Sequence, residues 1–435
     1  MKTYADTLKY LYGLQQRGIK FGLRNINALL DSVGNPQSCF PSIHIAGTNG
    51  KGSTASFLAS IMMEAGYTTA LYTSPHLVRF TERIKINGKE IPERRLVLYV
   101  QRLRPIIEEV KATFFEATTC IALQYFADEK VAVAIIETGL GGRLDATNVL
   151  RPLLSVITNI SREHTEYLGK TLRSIAREKG GIIKPGLPCL TGSSDPSVLR
   201  TLKTIAERRG AALYRVRQVA HLRVGPGGAK KPIVHITTRR YALRRVRIGL
   251  RGTHQALNAH LAVAALEIVV SEKKLPEVVR RVTARTIVRG LERVGRNTAL
   301  RGRLESLGAK GRFILDVAHN PASIQTLVCA LEQERIRDVI VVFGVMKDKE
   351  YGPMLETLRQ IALRVIGVSP ALDRALGSQE IYYELTRRGI AGLSGGSVIQ
   401  GIRKADTLAG PHTRILITGS HYVVGEAIAY LGKKA

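Results

Sequence analysis

No stretch of this 435-residue chain approaches the roughly 20 consecutive apolar residues that a membrane-spanning helix requires; the aliphatic runs at 261–270 and 339–343 stop well short. The N-terminus, MKTYADTLKYLYGLQQRG, lacks the apolar core of a secretory signal. It carries Asp6 and reads as an amphipathic helix. Low-complexity tracts and repeats of solenoid period are missing, which sets aside disordered, collagenous and repeat architectures. Cysteine is scarce. Cys39, Cys120, Cys189 and Cys329 are scattered with no CxxC pair, so free, largely buried thiols in a cytoplasmic protein are expected rather than a disulfide framework. Acidic residues are the other shortage: 35 Asp and Glu stand against 65 Lys and Arg, a formal net charge of +30. Such a balance invites a nucleic-acid partner. The basic residues are dispersed, however, and no RRM, KH or zinc-finger signature is present. The expectation is a basic surface suited to anionic ligands, with no nucleic-acid or membrane partner. The densest cluster, RRYALRRVRIGLRG at 239–252, alternates basic and apolar residues at strand period.

What is present is an α/β pattern long enough for two or three domains, each burying its own core. In the first half, PSIHIAG, TTALYTS, VAVAIIETG and LLSVITNI read as strands, the last two as β-branched runs buried on both faces. Helical stretches lie between them, at 51–66, 92–111 and 116–128. The pattern predicts a parallel sheet with crossover helices. Residues 211–252 change character. YRVRQVAHLRV, a Gly/Pro turn at 225–228, PIVHITT and VRIGL suggest a small antiparallel patch, followed by an apolar helix from His254. The polar, Gly-containing segment 293–299 is the candidate linker. Beyond it RFILDVAHN, DVIVVFGVM, ALRVIGVSP and RILITGS predict a second α/β domain. The expected organisation is a domain over 1–292, a linker at 293–299 and a smaller Rossmann-like α/β domain over 300–435.

The strongest local signal is HIAGTNGKGST at 44–54. A strand runs into a glycine-rich loop (Gly47, Thr48, Asn49, Gly50) and then into a helix. Such a loop aims backbone N–H groups at phosphates, and the helix N-terminus adds its positive dipole. Lys51 supplies charge for the β- and γ-phosphates. Gly52 stands where a strict Walker loop has Ser or Thr, ahead of Ser53 and Thr54.

GTNGKGST resembles the phosphate loop of the folylpolyglutamate and dihydrofolate synthases, within the wider Mur ligase superfamily. Further blocks match in order across nearly the whole chain: YTSPHLVRFTERIKING, FFEATT, ETGLGGRLDATN, ISREHTEYLG, REKGGIIKPG, RGRLE, LDVAHNP and FGVMKDK. The resemblance implies an N-terminal ATPase domain built on a P-loop-type parallel sheet, and the residue roles that follow. Glu137, at a strand's carboxyl end where open α/β sheets place ligands, would hold Mg2+ with Ser74. His164 would serve a second Mg2+; the family usually has Asp before this histidine, where Glu163 stands here. Lys179 would be carbamylated, giving an anion beside that metal. Residues 73–83 match the family's mobile loop over the site. Asn258, which shares a helix face with Gln255, would lie near the ATP base or ribose. Arg303 and Asp316 would reach over to ATP from the second domain, so that domain closure assembles the site.

Read chemically, the glycines at 139–142 permit close backbone approach to a ligand, and Asp145 would orient nearby groups. Phe114 and Phe115 suit the pterin or aminobenzoyl ring. Arg79 and Arg83 suit acidic substrate groups. The expectation is an ATP-dependent carboxylate–amine ligase acting as a monomer with ATP, L-glutamate and a folate or dihydropteroate, through an acyl phosphate. Alternatives are a folylpolyglutamate synthase only, a peptidoglycan-type Mur ligase, a nucleic-acid-stimulated ATPase, and a binding protein that has lost catalysis.

Overall fold

The computed structural model describes residues 3–18, 20–226, 230–271 and 280–432. Its first sheet has eight strands: β1 (Ser42–Ala46), β2 (Thr69–Tyr72), β3 (Ile84–Ile86), β4 (Lys89–Glu90), β5 (Val133–Glu137), β6 (Leu154–Ile157), β7 (Cys189–Thr191) and β8 (Leu213–Arg215). They lie in the order β4-β3-β2-β5-β1-β6-β7-β8. The run from β2 to β8 is parallel, and β3 and β4 add an antiparallel edge. β1, β2, β5 and β6 are buried along their whole length. This is why they read as continuous apolar runs rather than alternating ones.

Helices cover both faces. Lys51–Glu64, His254–Ser271 and Ala284–Thr298 share one core with Ile43, Ile45, Ile135 and Val156. Tyr4–Gly13, Arg24–Asp31, Glu93–Glu109 and Phe114–Asp128 share another with Ala70, Tyr72, Ala134 and Ile136. Alternate residues of the same strands thus feed opposite cores, as the period of two requires. The expected N-terminal helix is present as Tyr4–Gly13. The four cysteines are free, but only Cys120 and Cys189 are buried. Cys39 and Cys329 are exposed: the first follows a short surface turn, and the second sits on the outer face of the helix Pro321–Gln333.

The antiparallel patch is a three-stranded sheet, β9 (Ala220–Val224), β10 (Ile233–Thr238) and β11 (Ala242–Arg247), in the order β11-β10-β9. The segment YRVRQVAHLRV divides: Leu213–Arg215 completes the parallel sheet and only Ala220–Val224 joins the patch. Gly225 and Pro226 follow β9; Gly227 and Gly228 of the expected turn lie outside the described residues. β11 departs from strict alternation. Tyr241, Leu243, Val246 and Ile248 are buried, while Arg244 and Arg245 are both exposed. The pairing with β10 shifts register there and Arg245 takes a left-handed φ of 53°. This bulge keeps the apolar residues facing the core on both sides of it.

The expected linker at 293–299 is mostly helical. Residues 293–298 finish the helix Ala284–Thr298, whose Gly290 lies so close to the neighbouring helix that a Cβ would stand 2.5 Å from Ile61 Cα. Val294 and Thr298 are buried beneath the polar side chains that suggested a linker. The chain crosses between the sheets at 299–304, where Ala299, Gly302 and Leu304 take left-handed φ values.

The second sheet contains β12 (Glu305–Leu307), β13 (Phe313–Leu315), β14 (Val339–Phe343), β15 (Ala362–Ser369), β16 (Gly392–Ser397) and β17 (Ile415–Thr418), in the order β12-β13-β17-β14-β15-β16. Only β12 is antiparallel. The carboxyl ends of β13, β14 and β17 supply the residues that face the first sheet's phosphate loop. Among the described residues, no helix is long and apolar enough to cross a membrane.

Candidate active site

The loop after β1 takes its shape from glycines whose backbone other residues rarely adopt. Gly47 has φ 149°, and a Cβ there would stand 1.9 Å from Thr158 Oγ1. Gly50 has φ 82°, and its Cβ would stand 2.4 Å from Asn258 Oδ1. The segment after β6 fastens the loop. Thr158 Oγ1 donates to Asn49 O at 2.7 Å, Asn49 N donates to Asn159 Oδ1 at 2.9 Å, and Thr48 N donates to Asn159 O at 2.9 Å. Gly52 is different. A Cβ there would be in ordinary contact with Glu137 Oε2 at 3.5 Å and Arg303 Nη2 at 3.6 Å. This non-Walker glycine therefore leaves open the point where the loop, β5 and the second domain converge.

Lys51, the first residue of the helix, donates from Nζ to Thr48 O at 3.1 Å and lies 4.0 Å from Glu137 Oε1. Glu137 ends β5 and is buried. Burial pushes its carboxyl up, against Lys51, the Ser74 N–H at 3.3 Å, Arg303 and Arg83. His164 takes a left-handed φ of 50° just before the short helix Thr165–Leu168. Burial and then the charge of Lys349 push its ring down to about 4, so it is neutral with a free lone pair near neutral pH. Lys179 closes the helix Leu172–Lys179 and reaches beneath the loop, donating to Gly47 O at 2.7 Å. Burial and the nearby Lys51 push its amine down to about 7.

Asp145 is buried and fully engaged. Its carboxylate accepts from Gly139 N at 2.9 Å, Leu140 N at 2.8 Å and Thr147 N at 3.0 Å, and from the Thr147 hydroxyl. It shapes the 139–147 loop rather than offering a free charge. Burial still leaves its carboxyl raised. Phe115 packs over Gly139, where a Cβ would stand 2.5 Å from the ring. Arg83 lies over the Phe114 ring at 5.2 Å and donates from Nε to His76 Nδ1 at 2.8 Å, so it is held inside the cavity. Arg79 instead pairs with Glu93 at the surface.

From the second sheet, Asp316 accepts from Leu304 N and Ala318 N, each at 2.9 Å. It thereby ties the crossing segment that carries Arg303 to the end of β13. Burial raises the Asp316 carboxyl against the charge of Arg303. Arg303 Nε is buried without a partner. Asn258 Nδ2 donates to Gln255 Oε1 at 3.0 Å, the same-face pairing expected of this helix.

The phosphate loop and the second domain meet through a network the sequence did not reveal. Asn320 Nδ2 donates to Asn49 Oδ1 and Glu163 Oε1, each at 3.0 Å, and His319 Nε2 lies 2.8 Å from Glu163 Oε1. Burial pushes the Glu163 carboxyl up, but the His319 bond and neighbouring cations outweigh it and hold it well below the usual range. These contacts bridge loops of the two sheets.

The result is a cavity of about 720 Å3. Its lining includes Gly47, Thr48, Asn49, Gly50, Lys51, Gly52, Ser74, Arg83, Phe115, Glu137, Asp145, His164, Lys179 and Arg303. Ser53, Thr54, Asn258 and Asp316 are not among its lining residues, and Ser53, Thr54 and Asp316 are buried. Lys347, Lys349 and Arg374, with Asp348 paired to Lys349 and with Tyr422, form a wall with no role in the sequence reading; FGVMKDK at the end of β14 is its one visible sign. Phe21, Phe114 and Phe115 also line it and provide rings.

The pattern of the Mur ligase middle domain matches residues 45–266, and that of the Mur ligase glutamate ligase domain matches 302–421. The dihydrofolate synthase/folylpolyglutamate synthase of Bacillus subtilis is 34% identical over 436 residues, covering 97% of this chain and 98% of its own. A Mycobacterium tuberculosis folylpolyglutamate synthase, solved with ADP and AMPPCP, superposes with a TM-score of 0.88 at 30% identity, covering 99% of each chain. A bifunctional folylpolyglutamate synthase/dihydrofolate synthase solved with Mn, AMPPNP and L-glutamate gives 0.85 at 28% identity, covering 99% and 98%. With a phosphate loop, buried Glu137 and Lys179 and a cross-domain arginine gathered at one cavity, the chain belongs to the dihydrofolate synthase/folylpolyglutamate synthase family of Mur ligases and is an ATP-dependent ligase.

Proposed function

We propose that this chain joins L-glutamate both to the γ-carboxylate of folates and to the carboxylate of dihydropteroate, as a cytoplasmic monomer. The observation that carries the reading is the convergence of Lys51, Glu137 and Arg303 at Gly52, in one cavity that also presents phenylalanine rings and the Lys347, Lys349 and Arg374 side chains. The triphosphate lies along 47–52, with Lys51 and Arg303 on its charge. The folate rings pack against Phe21, Phe114 and Phe115. Glutamate, with two carboxylates, takes the Lys347–Lys349–Arg374 wall. The acceptor carboxylate oxygen attacks the γ-phosphorus in line, the bond to the β–γ bridging oxygen breaks, and ADP leaves an acyl phosphate. The glutamate amine then adds to the acyl carbon, loses a proton and expels phosphate, leaving the amide. The residues contribute positioning and charge neutralisation.

Among the described residues no three His, Cys, Asp or Glu side chains gather as a metal cage. Glu137, Ser74 and His164 line the cavity beside the phosphate loop, and so few protein donors suit Mg2+, which binds with phosphates. Glu137 and Ser74 would hold one ion and His164 a second, and when bound the metal supplies Lewis acidity and charge neutralisation. Lys179 is the carbamylation site in this reading. Its buried amine, pushed down to about 7, is partly neutral at physiological pH. The nitrogen lone pair bonds to the carbon of CO2, one C=O pair moves to oxygen, and a proton leaves to water. The carbamate anion would face His164 and the second metal.

The test is incubation of Lys179→Ala with ATP, glutamate and tetrahydrofolate, with and without acetate. Activity is expected to fall nearly to zero and to recover in part with acetate. Full activity without any added anion overturns the role.

A further inference from the structure

A groove of about 1120 Å3 adjoins the ligase site: Arg303 lines both, and Arg251 in its lining is already paired with Glu334. Lys230, Lys231 and Arg247 enter it from the antiparallel sheet, and Arg301, Lys310 and Arg414 from the second-domain side. Glu305 is the one carboxylate among its described lining residues, and Arg301 already pairs with it at 2.7 Å. The groove continues a charge pattern in the sequence. From 208 to 266 there are 13 Lys and Arg and no Asp or Glu, so this segment holds 13 of the chain's net +30. The structure gathers much of it on one sheet. Arg223, Arg244, Arg245 and Arg247 of β9 and β11 are exposed, while Val234, Ile236, Leu243 and Val246 face the core. β11 is one of the sheet's two edge strands and leads into the groove at Arg247.

We propose that this groove and the outer face of the three-stranded sheet bind a linear inorganic polyphosphate chain. Folding against this much like charge is unfavourable unless a counter-charge is at hand, and a polyanion supplies it. The groove lining offers Lys and Arg but no Phe, Tyr or His, so it has no aromatic ring on which bases could stack; His221 and His235 lie on the sheet outside that lining. A chain of phosphates without bases is complementary to it. A flat anionic membrane is a poor fit, because the site is concave and Val224 is the one large exposed apolar side chain described on these strands.

The test uses the full-length protein and fluorescently labelled sodium polyphosphate of medium length, titrated between about 50 and 200 mM salt, the range over which phosphate contacts dominate affinity. The quadruple variant Lys230→Glu, Lys231→Glu, Arg244→Glu, Arg247→Glu is expected to weaken binding at least about tenfold and to lower the slope of log affinity against log salt by about 3–4, near one per lost contact. Its ligase turnover is expected to be unchanged. The charge-matched control Arg94→Glu, Arg102→Glu, Arg173→Glu, Arg285→Glu alters exposed residues elsewhere and is expected to keep both affinity and slope. Equal loss in the control overturns the proposal, since net charge alone would then explain binding. Displacement of polyphosphate by stoichiometric ATP also overturns it, making the groove an arm of the nucleotide site. So does tighter binding of an oligonucleotide with the same number of phosphates, or of anionic lipid vesicles, through the same four residues.

Discussion

Lys51 and Lys179 show how far a single residue can be read from sequence. Both line the cavity to which the sequence assigns them, Lys51 through its glycine loop and Lys179 through the family resemblance alone, since a lysine closing a short helix is by itself no sign of a site. Their electrostatics were not legible, since these depend on burial by distant segments. Lys51→Ala removes a charge 4.0 Å from Glu137 while leaving β1 and the following helix intact. The expected result is a folded protein with ligase activity reduced at least about 100-fold at saturating ATP. Lys179 predicts a pH effect. Its folded-state value of about 7 lies below the ordinary 10.5. Between those values the unfolded chain binds more protons than the folded one, so stability rises with pH through that window and the benefit is lost on acidification. In bicarbonate-free buffer, where no carbamate forms, Lys179→Met should flatten this dependence and raise Tm at and below neutral pH, at the expense of activity. A Tm profile between about pH 6 and 9 identical to that of the parent chain would contradict it. At fixed bicarbonate, activity of the parent is expected to rise as the amine deprotonates through about 7.

At the scale of elements, apolar runs announced the central strands, because strands buried on both faces leave no polar residues to confuse the pattern. Edge elements were harder. β16 (GLSGGS) has no apolar run, and its glycines fit because a Cβ at Gly395 would stand 2.6 Å from Ile366 Cγ2. The 293–299 segment looked like a linker because its polar residues outnumber those that pack. The bulge in β11 was invisible because a left-handed arginine has no sequence signature. It makes a clear prediction. Arg245→Gly should be neutral or stabilising by up to about 1 kcal/mol, whereas Arg245→Val should cost at least about 1 kcal/mol, since β-branched residues resist this conformation. Thermal or denaturant unfolding of the two variants measures the difference; equal stability would remove the bulge from the account.

Across the whole molecule, the site exists only where the two sheets meet. Arg303 and Asp316 were expected there from resemblance. The pairing of Asn320 with Asn49 and Glu163 required the fold, because these partners stand 271 and 157 positions apart in the chain. Glu163, one methylene longer than the usual family Asp, spans to both Asn320 and His319. If these contacts set the relative position of Arg303 and the phosphate loop, Asn320→Ala should reduce kcat/KM by about 10–100-fold, the scale of a small misplacement of reacting groups, with the folded structure kept. An unchanged kcat/KM would show that the bridge has no part in positioning. The high net charge adds a separate expectation: apparent affinity for polyglutamylated folate should weaken with salt more steeply than that for dihydropteroate. Equal slopes would mean the charge does not serve substrate capture. The central claim is amide formation on two carboxylate substrates, and a product assay tests it most directly. Purified protein with MgATP and L-glutamate should convert dihydropteroate to dihydrofolate and extend tetrahydrofolate by glutamate, releasing one ADP per amide. ATP hydrolysis without either amide product, under conditions where Lys51→Ala abolishes that hydrolysis, would contradict it.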